Sequence, residues 1–522
     1  MTETSRDRSA LLGTLLKVKH RKLEGYVDDV LIGAIADPEL FAHIIAWNDA
    51  NGKVRDTKVA FPVLALRTSA MDDRELTENA FAHLAKLGPR ELVRAYQFNK
   101  WCSGSIVIGT IRNGQRGLLQ DVIQGYLRER ESKRNWWTAA VVRNRIAMKT
   151  LYAVSHLKPS ARAQKVLFGR KYAGEPVFEG IRRLGSMSPL EAGGFILRNK
   201  IPFTVALGTG VKLDNESVLL AIVQSMTGAE LITATAQLNK LKSFKLGAVQ
   251  EAYKEAVGKV AKDKRVSVGK VSRALGAAGQ SIQPDSAKVD TPIEQLVKLK
   301  EKAAQAAGPI KGDWLILADR SQSMGVAVKQ AVKISALLAH RVEGKVHLVF
   351  FNDVPQAFDV TGKTLDQIEH DTRHVTDSGT TSIGCGLRYL ADKKIGVDGI
   401  VLVSDGGENR PPWFHEEYKK LDPAPSLIYL KLFSDLDRHY KVAPGTVSDQ
   451  FGIHLHGHGI TYQAWNLGEG VDDYALENIV AVIKPGSYGM LDTIMETPLV
   501  LLKDVFKGVL FPGQIMELGR KA

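Results

Sequence analysis

The sequence predicts a multidomain protein, a HEAT-like array of α-helices followed by an α/β domain on a doubly wound sheet. Three observations predict it. From residue 27 to about 275, apolar residues recur three and four apart in segment after segment. From residue 313 that rhythm gives way to short β-branched and aromatic runs separated by helical stretches. Charge divides near the same place. Residues 1–300 carry 47 Lys and Arg against 29 Asp and Glu, a net +18, whereas residues 301–522 carry 23 against 28, a net −5. The expected organisation is an N-terminal extension over 1–26, a helical domain over 27–305, and an α/β domain with a C-terminal extension over 306–522.

The 522 residues include only two cysteines, Cys102 and Cys385, which argues against a disulfide scaffold and suits a reducing, cytoplasmic setting. The first twenty residues lack the apolar stretch of a signal peptide, and no run of about 18 apolar residues suggests a membrane span. Motifs for a P-loop, a serine-hydrolase elbow or a zinc protease are missing from the sequence. No general base adjoins the acids singled out below, so a non-enzymatic role is expected.

In the first part, "DPELFAHIIAWN", "RELTENAFAHLAKLG", "PRELVRAYQFNKW", "LLQDVIQGYLRERE", "PLEAGGFILRN", "ESVLLAIVQSM" and "GAVQEAYKEAVGKVAKD" read as amphipathic helices. Many open with Pro or an acid and close near Gly or Asn. Short paired helices every ~40–47 residues suit a HEAT-like superhelix, and an ordinary helical bundle satisfies the same periodicity. The Gly/Ser/Pro/Asp-rich stretch 275–292 reads as a loop, and 293–308 as one more helix. Beyond it, "DWLILA", "KVHLVFFN", "GIVLVSD" and "SLIYLKLF" read as strands. "VAVKQAVKISALLAHRV" and "IGCGLRYLADKK" read as the helices covering them.

Asp319 falls just past the run "WLILA", and Ser321 and Ser323 follow at spacing two. In such sheets ligands gather beyond the carboxyl ends of the strands. One carboxylate and two hydroxyls offer the oxygen donors that a hard divalent cation takes. Asp405 ends a second strand, and "SGTTSIGCGL" places Thr381, with Thr380 as the alternative, just before a helix. Helix capping is the plainer account of such Asp and Ser residues. This Asp-x-Ser-x-Ser, Gly-x-Thr, Ser-Asp-Gly order resembles the metal-ion-dependent adhesion site of von Willebrand factor A domains. The resemblance implies that Asp319, Ser321, Ser323, Thr381 and Asp405 hold Mg²⁺ or another divalent cation. It also implies one coordination position left for an acidic protein ligand.

Residues 101–170 hold 13 basic and 3 acidic side chains, a field suited to phosphates. On a helical wheel of 145–157, Arg145, Lys149, Tyr152 and His156 form one stripe, expected to face solvent. Ile146, Thr150, Val154 and Leu157 lie opposite, expected to be buried. Upstream, Arg128, Arg130, Lys133 and Arg134 flank Trp136 and Trp137, at least one of which is expected in the core. Lys158 follows in "SHLKP". Basic side chains contact phosphates, and aromatic rings stack on unpaired bases.

"SHLKP" and the preceding "KRNWW" within a helical array, with an A-type domain behind, resemble the TROVE module of the Ro autoantigen family along nearly the whole chain. The resemblance implies a helical ring that binds small structured noncoding (Y-like) RNA on its outer surface and single-stranded ends of misfolded RNA in its hole. An exoribonuclease is an implied partner. The family's RNA-contact positions carry over to His156, Arg134 and, more loosely, Arg130, because this chain has extra residues between "KRNWW" and "SHLKP". The alternative is a metal-dependent protein-interaction scaffold, or an accessory subunit like those of chelatases.

Two signals point less clearly. "IHLHGHGITY" alternates His454, His456 and His458, which on a strand would share one face. With no acid or cysteine beside them, a surface strand or partner contact is the expected account. Cys385 is expected to be a small buried residue.

Overall fold

The computed structural model describes residues 27–505 apart from 53, 68–73, 104–114, 261–269, 272–273, 276–295, 297–298, 300–309, 323, 433–449, 469–490 and 492–493. The 1–26 extension, nearly all of the 275–292 loop and the helix expected over 293–308 therefore lie outside the described residues, as does Ser323. The chain forms two compact units. Counting the described residues, one holds those of Ala34–Ala303 with 498–505, the other those of Ala304–Thr497 with 27–33. Among the described residues, 498–505 thus group with the helical unit.

The longer helices of the first unit, with the helix that leads into it, are α1 (Val27–Ala36), α2 (Pro38–Asn51), α3 (Arg55–Arg67), α4 (Arg74–Lys86), α5 (Pro89–Ser103), α6 (Gln115–Ser132) and α7 (Arg134–Ser155). They continue with α8 (Pro176–Arg183), α9 (Pro189–Asn199), α10 (Glu216–Ser225), α11 (Gly228–Lys240) and α12 (Gly247–Val260). Their starts follow the chemistry of helix ends. Asp37, Ser188, Asn215 and Thr227 accept orphan N–H groups, and Ser188 and Thr227 form reciprocal boxes with Glu191 and Glu230. Packing is mostly between sequence neighbours and next-but-one neighbours: α2 on α3 and α4, α3 on α4 and α5, α10 on α12, α11 on α12. That short-range pattern is the one a stacked helical array produces. Ile196, Leu219, Ile222, Leu238 and Tyr253 close one core. At the far end of the sequence, the Val500 N–H donates to Asn79 Oδ1 at 3.0 Å, beside the short helix Leu502–Val505 packed on α4.

The second unit is built on β1 (Trp314–Asp319), α13 (Gly325–Ala339), β2 (Val346–Phe351), β3 (Gln356–Asp359), α14 (Leu365–Thr372) and α15 (Gly384–Lys393). It continues with β4 (Gly399–Ser404), α16 (Phe414–Tyr418), β5 (Ser426–Leu432), α17 (Gln450–Gly457) and β6 (Gln463–Gly468). The sheet order is β3-β2-β1-β4-β5-β6. All pairings are parallel except β2 with β3. Strands covered on both faces need continuous apolar runs, and β1 and β4 are buried at every position. Leu315, Leu317, Leu402, Tyr429 and Phe351 face a core shared with α15, α16 and α17, and α13 packs on β1, β2 and β4. β3 and β6 add edge strands that the apolar-run reading did not include.

One element differs in kind from its expectation. The "IHLHGH" stretch is helical, not extended. Its apparent alternation comes from Ile453 and Leu455, but Ile453 is exposed, while Phe451 and Leu455, four apart, are buried. That i, i+4 pair sets a helix and sends His456 away from His454 and His458.

Candidate metal centre and cationic surface

β1 and β4 are the strands at which the sheet order reverses, because the chain runs from β1 outward to β2 and from β4 outward to β5. Crevices open at such switch points. The register pairs Ala318 with Val403, so Asp319 and Ser404 leave the sheet side by side. Asp319 is fully buried. Its Oδ1 accepts the Ser321 N–H at 2.8 Å and its Oδ2 accepts the Ser404 hydroxyl at 2.7 Å. The Ser404 oxygen in turn accepts the Gly406 N–H at 3.0 Å. Gly406 sits at φ +82°, and a Cβ there would strike Tyr429 and Phe451, so glycine is required at this turn. Burial, with the charge of Asp405 adding, pushes the Asp319 carboxyl up to about 6 against the hydrogen bonds from Ser321 and Ser404.

Thr381 is buried and Thr380 half-buried. The Thr381 N–H donates to Asn409 Oδ1, and its carbonyl accepts from the Asn409 and Arg410 N–H groups, each at 3.0 Å. The Ser378 N–H donates to the Arg320 carbonyl at 2.8 Å, and Asn352 Nδ2 to the Ser378 carbonyl at 2.9 Å. The segments after β1, β2 and β4 are thereby stitched into one patch carrying Asp319, Ser321, Thr381 and Asp405. Its ligating groups are all oxygens, and the charge of the half-buried Asp405 bears on the buried Asp319 carboxyl. These residues fit a hard divalent cation.

Sequence reading missed Glu408. Its Oε1 accepts the N–H groups of Ile383, Gly384 and Phe414 at 2.8, 3.0 and 3.0 Å, joining the starts of α15 and α16. Burial pushes its carboxyl up to about 7. The signal was its place three residues beyond Asp405 in "SDGGEN". Cys385 and Cys102 are buried, and burial pushes their thiols up to about 12 and about 11, which leaves them poor nucleophiles.

In the helical unit, α7 breaks at Asn144 (φ −139°, ψ 42°). Beyond the break two expected positions are exchanged, while His156 is exposed as expected. Tyr152 is 2% exposed and Ile146 is 82% exposed. The Tyr152 hydroxyl donates to Glu131 and accepts from Trp137 Nε1, and its ring meets Phe168 edge-on. A wheel cannot rank a tyrosine ring with two available hydrogen-bond partners above an isoleucine; the neighbours decide it.

The arginines and lysines divide accordingly. Arg145 turns inward, donating to the Tyr172 hydroxyl and the Val166 carbonyl at 2.8 Å and the Leu167 carbonyl at 3.1 Å, so it pins the π-helical turn Gln164–Phe168. Arg130 stacks on Trp136 and Tyr126. Lys149 lies 5.6 Å from the Phe168 ring. Lys133 pairs with Glu129 at 3.1 Å. Arg134 stays 67% exposed, 3.7 Å from a Glu175 carboxylate that Arg162 already holds in a two-point pair at 2.6 and 2.7 Å. Arg128, His156 and Lys158 are exposed, with His156 at the left-handed cap of α7 (φ 55°). Trp137 is buried, and Trp136 is partly exposed.

Arg162 was also missed; it lies over Trp137 at 4.6 Å. The stronger signal was a longer window. Residues 132–174 contain ten Lys and Arg and no Asp or Glu. Arg170 and Lys171 extend the exposed set.

Among solved structures, the Deinococcus radiodurans RO (RSR) protein is similar in fold. The TM-score is 0.50 at 15% identity, and the match covers 87% of this chain and 93% of that one. At that identity the likeness is one of fold, a helical region followed by an α/β region. No protein-family model and no curated protein matches the chain.

Proposed function

We propose that this chain is a non-enzymatic RNA-binding protein of the Ro type. Its helical unit holds small structured noncoding RNA, Y-like in kind, and single-stranded ends of misfolded RNA in quality control or processing. Its α/β unit recruits an acidic protein group through Mg²⁺. The observation that carries the reading is the acid-free run 132–174, whose Arg134, His156, Lys158, Arg170 and Lys171 are solvent-exposed. Arg134 supports it further. Its acidic neighbour is already neutralised by Arg162, so its charge is left for a phosphate. The fold shared with a Ro protein supports the same assignment. Among the described residues no helix is long and apolar enough to cross a membrane. A cytoplasmic setting and an exoribonuclease partner belong to this proposal by family analogy.

When bound, the cation would supply a positive charge for an incoming carboxylate. Asp319, Ser321, Thr381 and Asp405 are the residues that would hold it, with Ser323 by motif. Binding of RNA by phosphate contacts releases counterions, so affinity falls steeply with salt. A gel-shift titration of the purified chain with a structured small RNA at rising salt tests the reading. Absent or salt-insensitive binding rejects it.

A further inference from the structure

Three imidazoles converge at the surface of the α/β unit. His415 lies on α16, His454 on α17, and His458 one turn beyond His454, its N–H still donating to the His454 carbonyl at 3.1 Å. His415 Nδ1 is 3.0 Å from His454 Nε2, and one ligand nitrogen from each of the three rings lies within 4.8 Å of the others. The His415 and His458 rings are stacked, with centroids 3.9 Å apart and planes 12° apart, and His454 stands edge-on to both at 4.5 Å. We propose that His415, His454 and His458 form a transition-metal site for a zinc-class divalent ion, separate from the oxygen-lined patch at Asp319.

Several features carry this inference. Imidazole nitrogens suit borderline ions such as Zn²⁺, Co²⁺ or Ni²⁺ and do not suit Mg²⁺. Two nitrogens on one tetrahedral ion with bonds of about 2.0–2.1 Å lie about 3.3 Å apart, so small rotations of solvent-accessible side chains complete the geometry. An i, i+4 pair on a helical turn projects both rings from one face. The scaffold is firm. Phe414, next to His415, packs edge-on against Phe451 of α17 at 5.6 Å, and Leu455, next to His454, is fully buried. Desolvation and mutual repulsion hold His415 and His458 below the ordinary histidine range, with Lys419 adding and Glu416 opposing. Three protein ligands leave a fourth position to water. The ion would clip α16 to α17, bracing the helix that begins beside Glu408.

The test is a titration of the full, untagged chain, stripped with chelator, with Co²⁺ and Zn²⁺ alone near neutral pH. One equivalent of Co²⁺ should bind with the visible absorption of a four-coordinate site, and Zn²⁺ should displace it and raise Tm. His454→Ala, at an exposed position, should abolish this signal, as should His458→Ala and His415→Ala. His456→Ala and Asp319→Ala should leave it intact. The site is overturned if neither ion binds at micromolar concentration, if His454→Ala binds like the wild type, or if His456→Ala removes the signal.

Discussion

Ser404 donates its hydroxyl hydrogen to Oδ2 of Asp319 at 2.7 Å, across 85 residues of sequence, and its oxygen takes the Gly406 N–H in return. One small side chain therefore links the β1 acid to the turn that carries the β4 acid.

That link makes Asp319 the residue to change first. A buried carboxylate beside a second acid is costly without a cation. In chelator, Asp319→Asn should match or exceed the wild type in Tm. Addition of Mg²⁺ should raise wild-type Tm and leave the variant unmoved, since ligand stabilisation grows only with binding to the folded state. RNA binding should be unaffected. Differential scanning fluorimetry with and without Mg²⁺, beside a gel shift, reads all three.

Arg134 and His156 sit at the exposed part of the cationic surface. Replacing both with Ala should weaken structured-RNA binding about tenfold or more and shallow its salt slope by about one for each phosphate contact removed. Tm should change little, because an exposed pair such as Arg134–Glu175 contributes at most about 1 kcal/mol. A loss of Tm equal to that of a core variant would place these residues in folding instead.

Arg145 should behave in the opposite way. Arg145→Met removes charge-assisted hydrogen bonds to the Val166 and Leu167 carbonyls. It should cost about 2–3 kcal/mol in urea unfolding. RNA affinity measured on the remaining folded protein should fall less than for Arg134→Ala.

Glu408 predicts a pH dependence. Its folded-state carboxyl, near 7, lies above the ordinary 4.5. The folded chain therefore binds the proton more tightly than the unfolded chain. Stability from this group is full below about 4.5 and is lost as pH rises through 7, on the order of 3 kcal/mol in all. Glu408→Gln keeps an Oε1 acceptor for the three N–H groups. In chelator it should flatten that part of the stability profile and be the more stable protein at pH 8. A profile unchanged by the substitution would show that Glu408 is already ionised in the folded chain.

Much of the fold was legible because burial leaves periodic traces. The runs of β1, β2, β4 and β5 are apolar because both faces are covered. β3 is a short edge strand with alternating exposure, and β6 carries few β-branched residues, so neither forms such a run. The His-rich stretch misled because a period of two over six residues does not distinguish a strand from a helix whose buried pair is Phe451 and Leu455.

Local chemistry thus determined a good deal by itself: the two kinds of periodicity, the basic first part, and the Asp319, Ser321 and Asp405 oxygens at the ends of apolar runs. Only the tertiary structure decided which face of α7 turns inward, so that Tyr152 and Arg145 serve the interior while Ile146 faces water. It alone brought His415 to His454 across 39 residues and Ser404 to Asp319 across 85. The reason is physical. Periodicity records how much surface an element buries, whereas the partner it buries that surface against is set by packing between segments far apart in the chain.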